Sequence, residues 1–122
     1  GLCSVIAPIL AGGSTSVILA SHTRPLCAIT LAEVLNSSDV PGGVVNILTG
    51  FRDELLSQFA EHMDVNALLI CSDDEKEIKL VQERAVENLK RVISHVDGPL
   101  AESPYHILDF QEIKTTWHPV GV

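Results

Sequence analysis

Aromatic side chains are scarce in this 122-residue chain, at 4% of a composition that is 46% hydrophobic, so its interior has to be built from aliphatic groups. Such a core suits strands alternating with helices better than an aromatic-rich sandwich, and the length allows one domain at most. Cysteine is sparse as well. Cys3, Cys27 and Cys71 are odd in number and none stands in C-x-x-C spacing, which argues against a disulfide framework or a cysteine-bound zinc and for a reducing, cytoplasmic setting. No Lys/Arg cluster interrupts a formal net charge of −8. Nucleic acid and anionic membrane surfaces would therefore repel the chain, and neither is expected as a partner. Long uninterrupted apolar runs are missing too: the opening "GLCSVIAPILAGGSTSVILA" has no basic leader and is broken by Pro8 and by Gly12-Gly13. It reads as core, not as a signal peptide or a membrane span, and as part of a chain cut from something longer.

What is present alternates. "TSVILA" (15–20) is short, β-branched and bounded by glycine and polar residues, as a buried parallel strand is. "PLCAITLAEVLNSSD" then carries Leu26, Ile29, Ala32 and Leu35 at helical spacing, with proline in the first turn and a polar stop. "GGVVNILTG" predicts a second strand, and "FRDELLSQFAEHM" a second helix with Leu55, Leu56, Phe59 and Met63 on one face. "VNALLICS" is a third strand. "DDEKEIKLVQERAVENL" is a third helix, its acidic start suited to the helix dipole and its stripe formed by Ile78, Val81, Ala85 and Leu89. "KRVISHV" closes as a fourth strand. The pattern predicts an α/β fold: βαβ crossovers making an open parallel sheet with helices on both faces. A Pro/Gly/Ser linker follows, and "ILDFQEIKTTWH" alternates in part, with Ile113, Thr115 and Trp117 on one side, as a lone extra strand would. The expected division is thus a domain over 1–98, a linker over 99–104 and a tail strand over 105–122.

Ligands of such sheets bind beyond the carboxyl ends of the strands, which directs attention to "SHTRP", "TGFRD" and "CSDDE". No G-x-G-x-x-G, P-loop or G-x-S-x-G motif occurs. Cys71, Ser72 and Asp73 with His95 have the residue types of an activated nucleophile, but a buried strand cysteine followed by a Ser or Asp helix cap accounts for the same residues. His22, His62, His95, His106 and His118 show no ligand spacing along the chain, so no metal is expected. Asp73-Asp74-Glu75 reads as a solvated helix cap, and Gly42, Gly43 and Gly50 as turn residues. From the residues alone the chain yields a fold and no catalytic constellation.

A resemblance adds to this. "APILAGGSTSVILASHTRPLCA", "PGGVVNILTG", "HMDVNALLICSDDE" and "ENLKRVISHVDG" resemble, in order and spacing, consecutive blocks of the NAD-binding domain of the aldehyde dehydrogenase superfamily. "FQEIKTTWH" is similar to that family's C-terminal oligomerisation strand, which in active members follows the catalytic domain bearing the nucleophilic cysteine. Here it comes a few residues after the last sheet block. The resemblance implies a Rossmann-like domain and a set of family positions. The ribose-binding lysine falls on Leu19 and the glutamate three residues on falls on His22. The glycine and serine that admit the phosphates fall on Ser72 and Asp73, while the glycine of the second turn is kept as Gly50. The general-base glutamate falls on His95. Cys71 does not match the catalytic cysteine.

Leu19 offers no donor, and Asp73 would put a carboxylate beside a pyrophosphate. The expectation is therefore a non-catalytic dehydrogenase-like module, a pseudoenzyme that binds no cofactor. Its partner would be protein, either in a homo-oligomer or as a companion dehydrogenase module, met through Ile113, Thr115 and Trp117 by strand addition. The second, truncated module of family 16 enzymes is a similar case. The alternative is an NAD(P)-binding part of an active enzyme that oxidises aldehydes to carboxylic acids.

Overall fold

A computed structural model describes residues 1–95 and 103–121. Its element order is α1 (Leu2–Ala11), β1 (Ser16–Leu19), α2 (Leu26–Asn36), β2 (Val45–Leu48), α3 (Arg52–Glu61), β3 (Ala67–Ile70), α4 (Glu75–Ala85), β4 (Arg91–Ser94) and α5 (Tyr105–Leu108). The alternation predicted from the sequence is present: β1 and β2 pair in parallel across α2, and β3 and β4 pair in parallel across α4. The fold class is α/β with short parallel strands. The pairing differs from a continuous four-stranded sheet, since the ladders are β1–β2 and β3–β4. Each strand is four residues long, and each ladder is extended by flanking bonds such as Ala20 N–H to the Leu48 carbonyl (2.9 Å) and His95 N–H to the Ile70 carbonyl (3.0 Å).

The best-packed part is the β3–α4–β4 unit. Val81 is fully buried and joins Ala60, Leu68 and Ile70, with Leu56, Phe59, Ile78 and Val92 packed around them. Burying side chains of this size contributes about 1.5–3 kcal/mol each, so this cluster holds α3 and α4 to the second ladder. Asp74 starts α4 by accepting from the Lys76 N–H at 2.9 Å, Glu75 and Glu77 stand in the first turn, and Arg84 in the last, all favourable to the helix dipole. Beyond the helix, Asn88 Nδ2 donates to the Met63 and Val65 carbonyls at 3.1 Å each, and Lys90 Nζ donates to the His62 carbonyl at 2.6 Å. Burial holds the Lys90 ammonium below its usual pKa, because loss of hydration disfavours its charged form.

Several expectations are corrected. The opening segment forms a helix, α1, which runs through Pro8 and stops at Gly12 and Gly13, the latter at φ +78°. It does supply core through Ile6 and Ile9. Pro25 is the cap of α2, one residue before its first turn, and the α2 stripe is less buried than its spacing suggests, with Leu26 and Ile29 exposed and Ala28 buried. Met63 and Leu89 lie past the ends of their helices and are exposed, so helical spacing no longer keeps them on the buried face.

The tail makes no ladder within the described residues. Tyr105–Leu108 is a helical turn capped by Pro104, and 111–121 pairs with no strand among the described residues. Ile107 and Phe110 are half-buried, three residues apart, and α5 packs on α1. Gln111 Nε2 donates to the Gly12 carbonyl at 2.8 Å, and Arg91 donates to the Gln111 carbonyl. Past this anchor Ile113, Thr115 and Trp117 are exposed, and alternation without a neighbouring strand gives no ladder. Of the expected linker, 99–102 lies outside the described residues, as do Val96, Asp97 and Gly98 at the end of the expected first domain.

Leu89 ends the helical turn Val86–Asn88 in the left-handed region, at φ 53° and ψ 33°, with its side chain 88% exposed. A branched side chain there costs about 1–2 kcal/mol relative to glycine, part of which the larger unfolded-state freedom of glycine offsets. Leu89→Gly is expected to raise stability by about 0.5 kcal/mol, read as a higher urea midpoint at unchanged slope; a lower midpoint would contradict the strain argument.

Candidate functional site

Three turns at the carboxyl ends of β1, β2 and β3 are tied together by side chains. After β1, the His22 ring stands 4.6 Å from the Phe51 ring, which belongs to the turn after β2. Arg52, the first residue of α3, donates from Nη1 to the Cys71 carbonyl at 3.3 Å and pairs through Nη2 with Glu77 Oε2 at 3.0 Å. The same Glu77 oxygen accepts from Ser72 Oγ at 2.7 Å, and Ser72 Oγ accepts from the Asp74 N–H at 3.1 Å. The loop before α4 is thus fixed by groups belonging to the chain itself.

Arg52 is a cation at a helix N-terminus, where the helix dipole disfavours positive charge, and the Glu77 carboxylate offsets that mismatch. Neither residue stood out in the sequence as a site residue. The available signal was the unfavourable sign of Arg52 at the start of α3, which calls for an acid nearby, while Glu77 was hidden in an acidic run that reads as a solvated cap. Around the start of α4, Asp73, Asp74, Glu75 and Glu77 outnumber Arg52 and Lys76. A ligand anion there would meet excess negative charge at a helix end that otherwise favours anions.

The expected cofactor positions lie as follows. Leu19 ends β1 and is half-buried, His22 is exposed, Ser72 is half-buried and Asp73 is exposed. A Cβ built on Gly50 would come within 2.9 Å of Leu55 Cδ1, the far end of a side chain on α3 that lies close over this turn. Asp74, not Ser72 or Asp73, caps α4, and Cys71 is exposed instead of buried. His95 sits just past β4, half-buried, with its ring edge-on to that of His106 at 5.8 Å. His106 comes from the tail helix, which the chain's linear spacing gave no reason to place there. Ile113, Thr115 and Trp117 are not part of this grouping. An open cleft of about 550 Å³ lies between β4 and the tail, lined by residues that include Arg91, Ile93, Leu108, Asp109 and Ile113. Among the described residues no helix is long and apolar enough to cross a membrane.

The family model described as the aldehyde dehydrogenase family matches residues 2–116. The chain belongs to the aldehyde dehydrogenase family. It is 32% identical over 108 residues to aldehyde dehydrogenase family 2 member C4 of Arabidopsis thaliana, a match that takes in 88% of this chain and 21% of that protein. It is 30% identical over 99 residues to the NADP/NAD-dependent aldehyde dehydrogenase PuuC of Escherichia coli, covering 81% of this chain and 20% of that one. The crystal structure of aldehyde dehydrogenase from Bartonella henselae superposes with a TM-score of 0.71 at 28% identity, over 76% of this chain and 19% of the other. The chain therefore spans about a fifth of the length of these aldehyde dehydrogenases. It is a part of the family's architecture, covering a partial domain.

Glu77→Gln keeps an acceptor for Ser72 and removes the charge facing Arg52. With the Arg52 side chain 38% exposed, solvent screening limits the pair to about 1 kcal/mol or less. The substitution is expected to lower stability by that amount at low salt and by much less at 1 M salt, where urea midpoints of the two proteins should converge. Equal differences at both salt concentrations would show that the charge pair is not what the loop relies on.

Proposed function

We propose that this chain is a non-catalytic aldehyde-dehydrogenase-like module with a structural, oligomerising role in a cytoplasmic assembly. The observation that carries this reading is the Arg52–Glu77–Ser72 network at the start of α4. It places a carboxylate of the chain's own, hydrogen-bonded and ion-paired, at the helix end where a dinucleotide's phosphates would have to approach. Leu19, with no donor for a ribose, and His95, in place of a glutamate base, support the same reading. The second module of the family 16 enzymes is the comparable case within the family. The association role draws support from the tail, where Ile113 is 97% and Trp117 89% exposed on a segment whose backbone makes no ladder of its own. That arrangement suits pairing with the sheet edge of a second copy or of a companion dehydrogenase module, with Thr115 on the same alternating face.

The alternative, an NAD(P)-binding part of an active aldehyde dehydrogenase, is favoured by the match to a relative named for its use of NADP and NAD. The two readings separate calorimetrically. Titrated with NAD or NADP, the chain is expected to show no saturable binding up to millimolar cofactor. The triple variant Leu19→Lys, Ser72→Gly, Asp73→Ser is expected to gain measurable affinity by restoring a donor and removing a carboxylate. Micromolar binding by the unmodified chain would establish the alternative.

For the assembly role, sedimentation of the chain with and without residues 112–122 is the test. Truncation is expected to shift the distribution to smaller species, alone or mixed with a full-length family member. An unchanged distribution in both mixtures would remove the tail from any role in association.

A further inference from the structure

Three side chains outside the Arg52–Glu77–Ser72 network are brought together by the tail. His95 follows the last residue of β4, His106 lies within α5, and Asp109 is the residue that caps the end of α5. The imidazoles of His95 and His106 meet edge to face, with an interplanar angle of 86°. His106 Nδ1 is 3.7 Å from Asp109 Oδ2, and one ligand atom from each of the three residues lies within 4.8 Å of the other two. All three residues are half-buried.

We propose that His95, His106 and Asp109 bind a divalent first-row transition ion, with Zn²⁺ the best suited, leaving a fourth position for water. Two imidazole nitrogens and one carboxylate oxygen make a mixed donor set that such ions accept and that hard, oxygen-seeking cations do not select. Tetrahedral coordination with bonds of about 2.0–2.1 Å sets ligand atoms about 3.4 Å apart. The His106–Asp109 pair, one helical turn apart, is already within a few tenths of an ångström of that separation. The His95 nitrogen needs an approach of about 1.4 Å or less to reach the ideal geometry, a movement that rotation of one half-buried ring supplies. The net charge of −8 favours cation capture, and Arg91, the cation of the adjoining strand, is engaged by the Gln111 carbonyl. Bound metal ties α5 to the end of β4, and gives His95, at the position the family uses for a base, the role of a ligand.

The test is titration of the chelator-treated chain with Zn²⁺ alone. One equivalent is expected to bind with micromolar affinity, and the side-chain ¹⁵N resonances of His95 and His106 should move while those of His22, His62 and His118 stay in place. His95→Gln, His106→Gln and Asp109→Asn should each weaken binding at least tenfold, and the combined Cys3→Ser, Cys27→Ser, Cys71→Ser variant should retain full affinity. The resonance measurement uses the unmodified protein, so it decides the matter even where a ligand variant misfolds. Absence of stoichiometric binding, movement of other histidines in place of these two, or loss of binding in the cysteine variant would each overturn the proposal.

Discussion

The packing of α4 across the β3–β4 ladder is the contact on which the remaining structure depends. A parallel pair of four-residue strands has too few hydrogen bonds to persist in water and is stable only when an apolar surface covers it. Val81, with no exposed surface, supplies the centre of that cover, and Ala60 carries the same cluster onto α3. Once the helix is seated, the turn before it and the end of β4 after it are both fixed in space. Those are the two places where the chain's polar chemistry gathers: Arg52, Ser72 and Glu77 at one, His95, His106 and Asp109 at the other.

The first of these groups sets the chain's own charges at a helix N-terminus. A helix N-terminus presents unpaired N–H groups and a partial positive charge, and an incoming phosphate or a local carboxylate can answer either. Asp74 caps the Lys76 N–H directly, and Ser72 holds the Asp74 N–H while its hydroxyl donates to Glu77. An anionic ligand would have to displace these bonds and face the remaining carboxylates. The same few side chains that stabilise the start of α4 also gather negative charge at its N-terminus.

Much of the fold was legible because its signals are local. Alternating strand-length and helix-length apolar patterns gave β1 to β4 and α2 to α4, since period and glycine-bounded turns are properties of neighbouring residues. The two ends of the chain were less legible. α1 contains Pro8 and ends in glycines, so its helical character rests on packing through Ile6 and Ile9. α5 depends on a contact with α1, and on a bond between Gln111 and Gly12, 99 residues apart, that no local pattern can signal. For the site, the positions of Leu19, Gly50, Ser72 and Asp73 at strand ends could be read in advance. The coupling of Arg52 to Glu77, 25 residues on, and of His95 to Asp109 could not, because each depends on which turns the fold sets side by side.

The exposed tail sets a physical condition on any partner. Ile113, Trp117 and Val120 are almost entirely in water, and burying all three would contribute about 1.5–3 kcal/mol each. Fixing the backbone of residues 112–121 costs about 1–2 kcal/mol per residue, which exceeds that gain. A flat apolar patch is therefore an inadequate partner, because side-chain burial alone cannot offset the ordering. Main-chain pairing adds about 0.5–1.5 kcal/mol per hydrogen bond along the segment, and together with the three apolar side chains brings the balance close to zero or below. For the tail to act in assembly, its partner must offer an open sheet edge with pockets on one face. Short two-stranded ladders such as those of this chain have open edges of that kind.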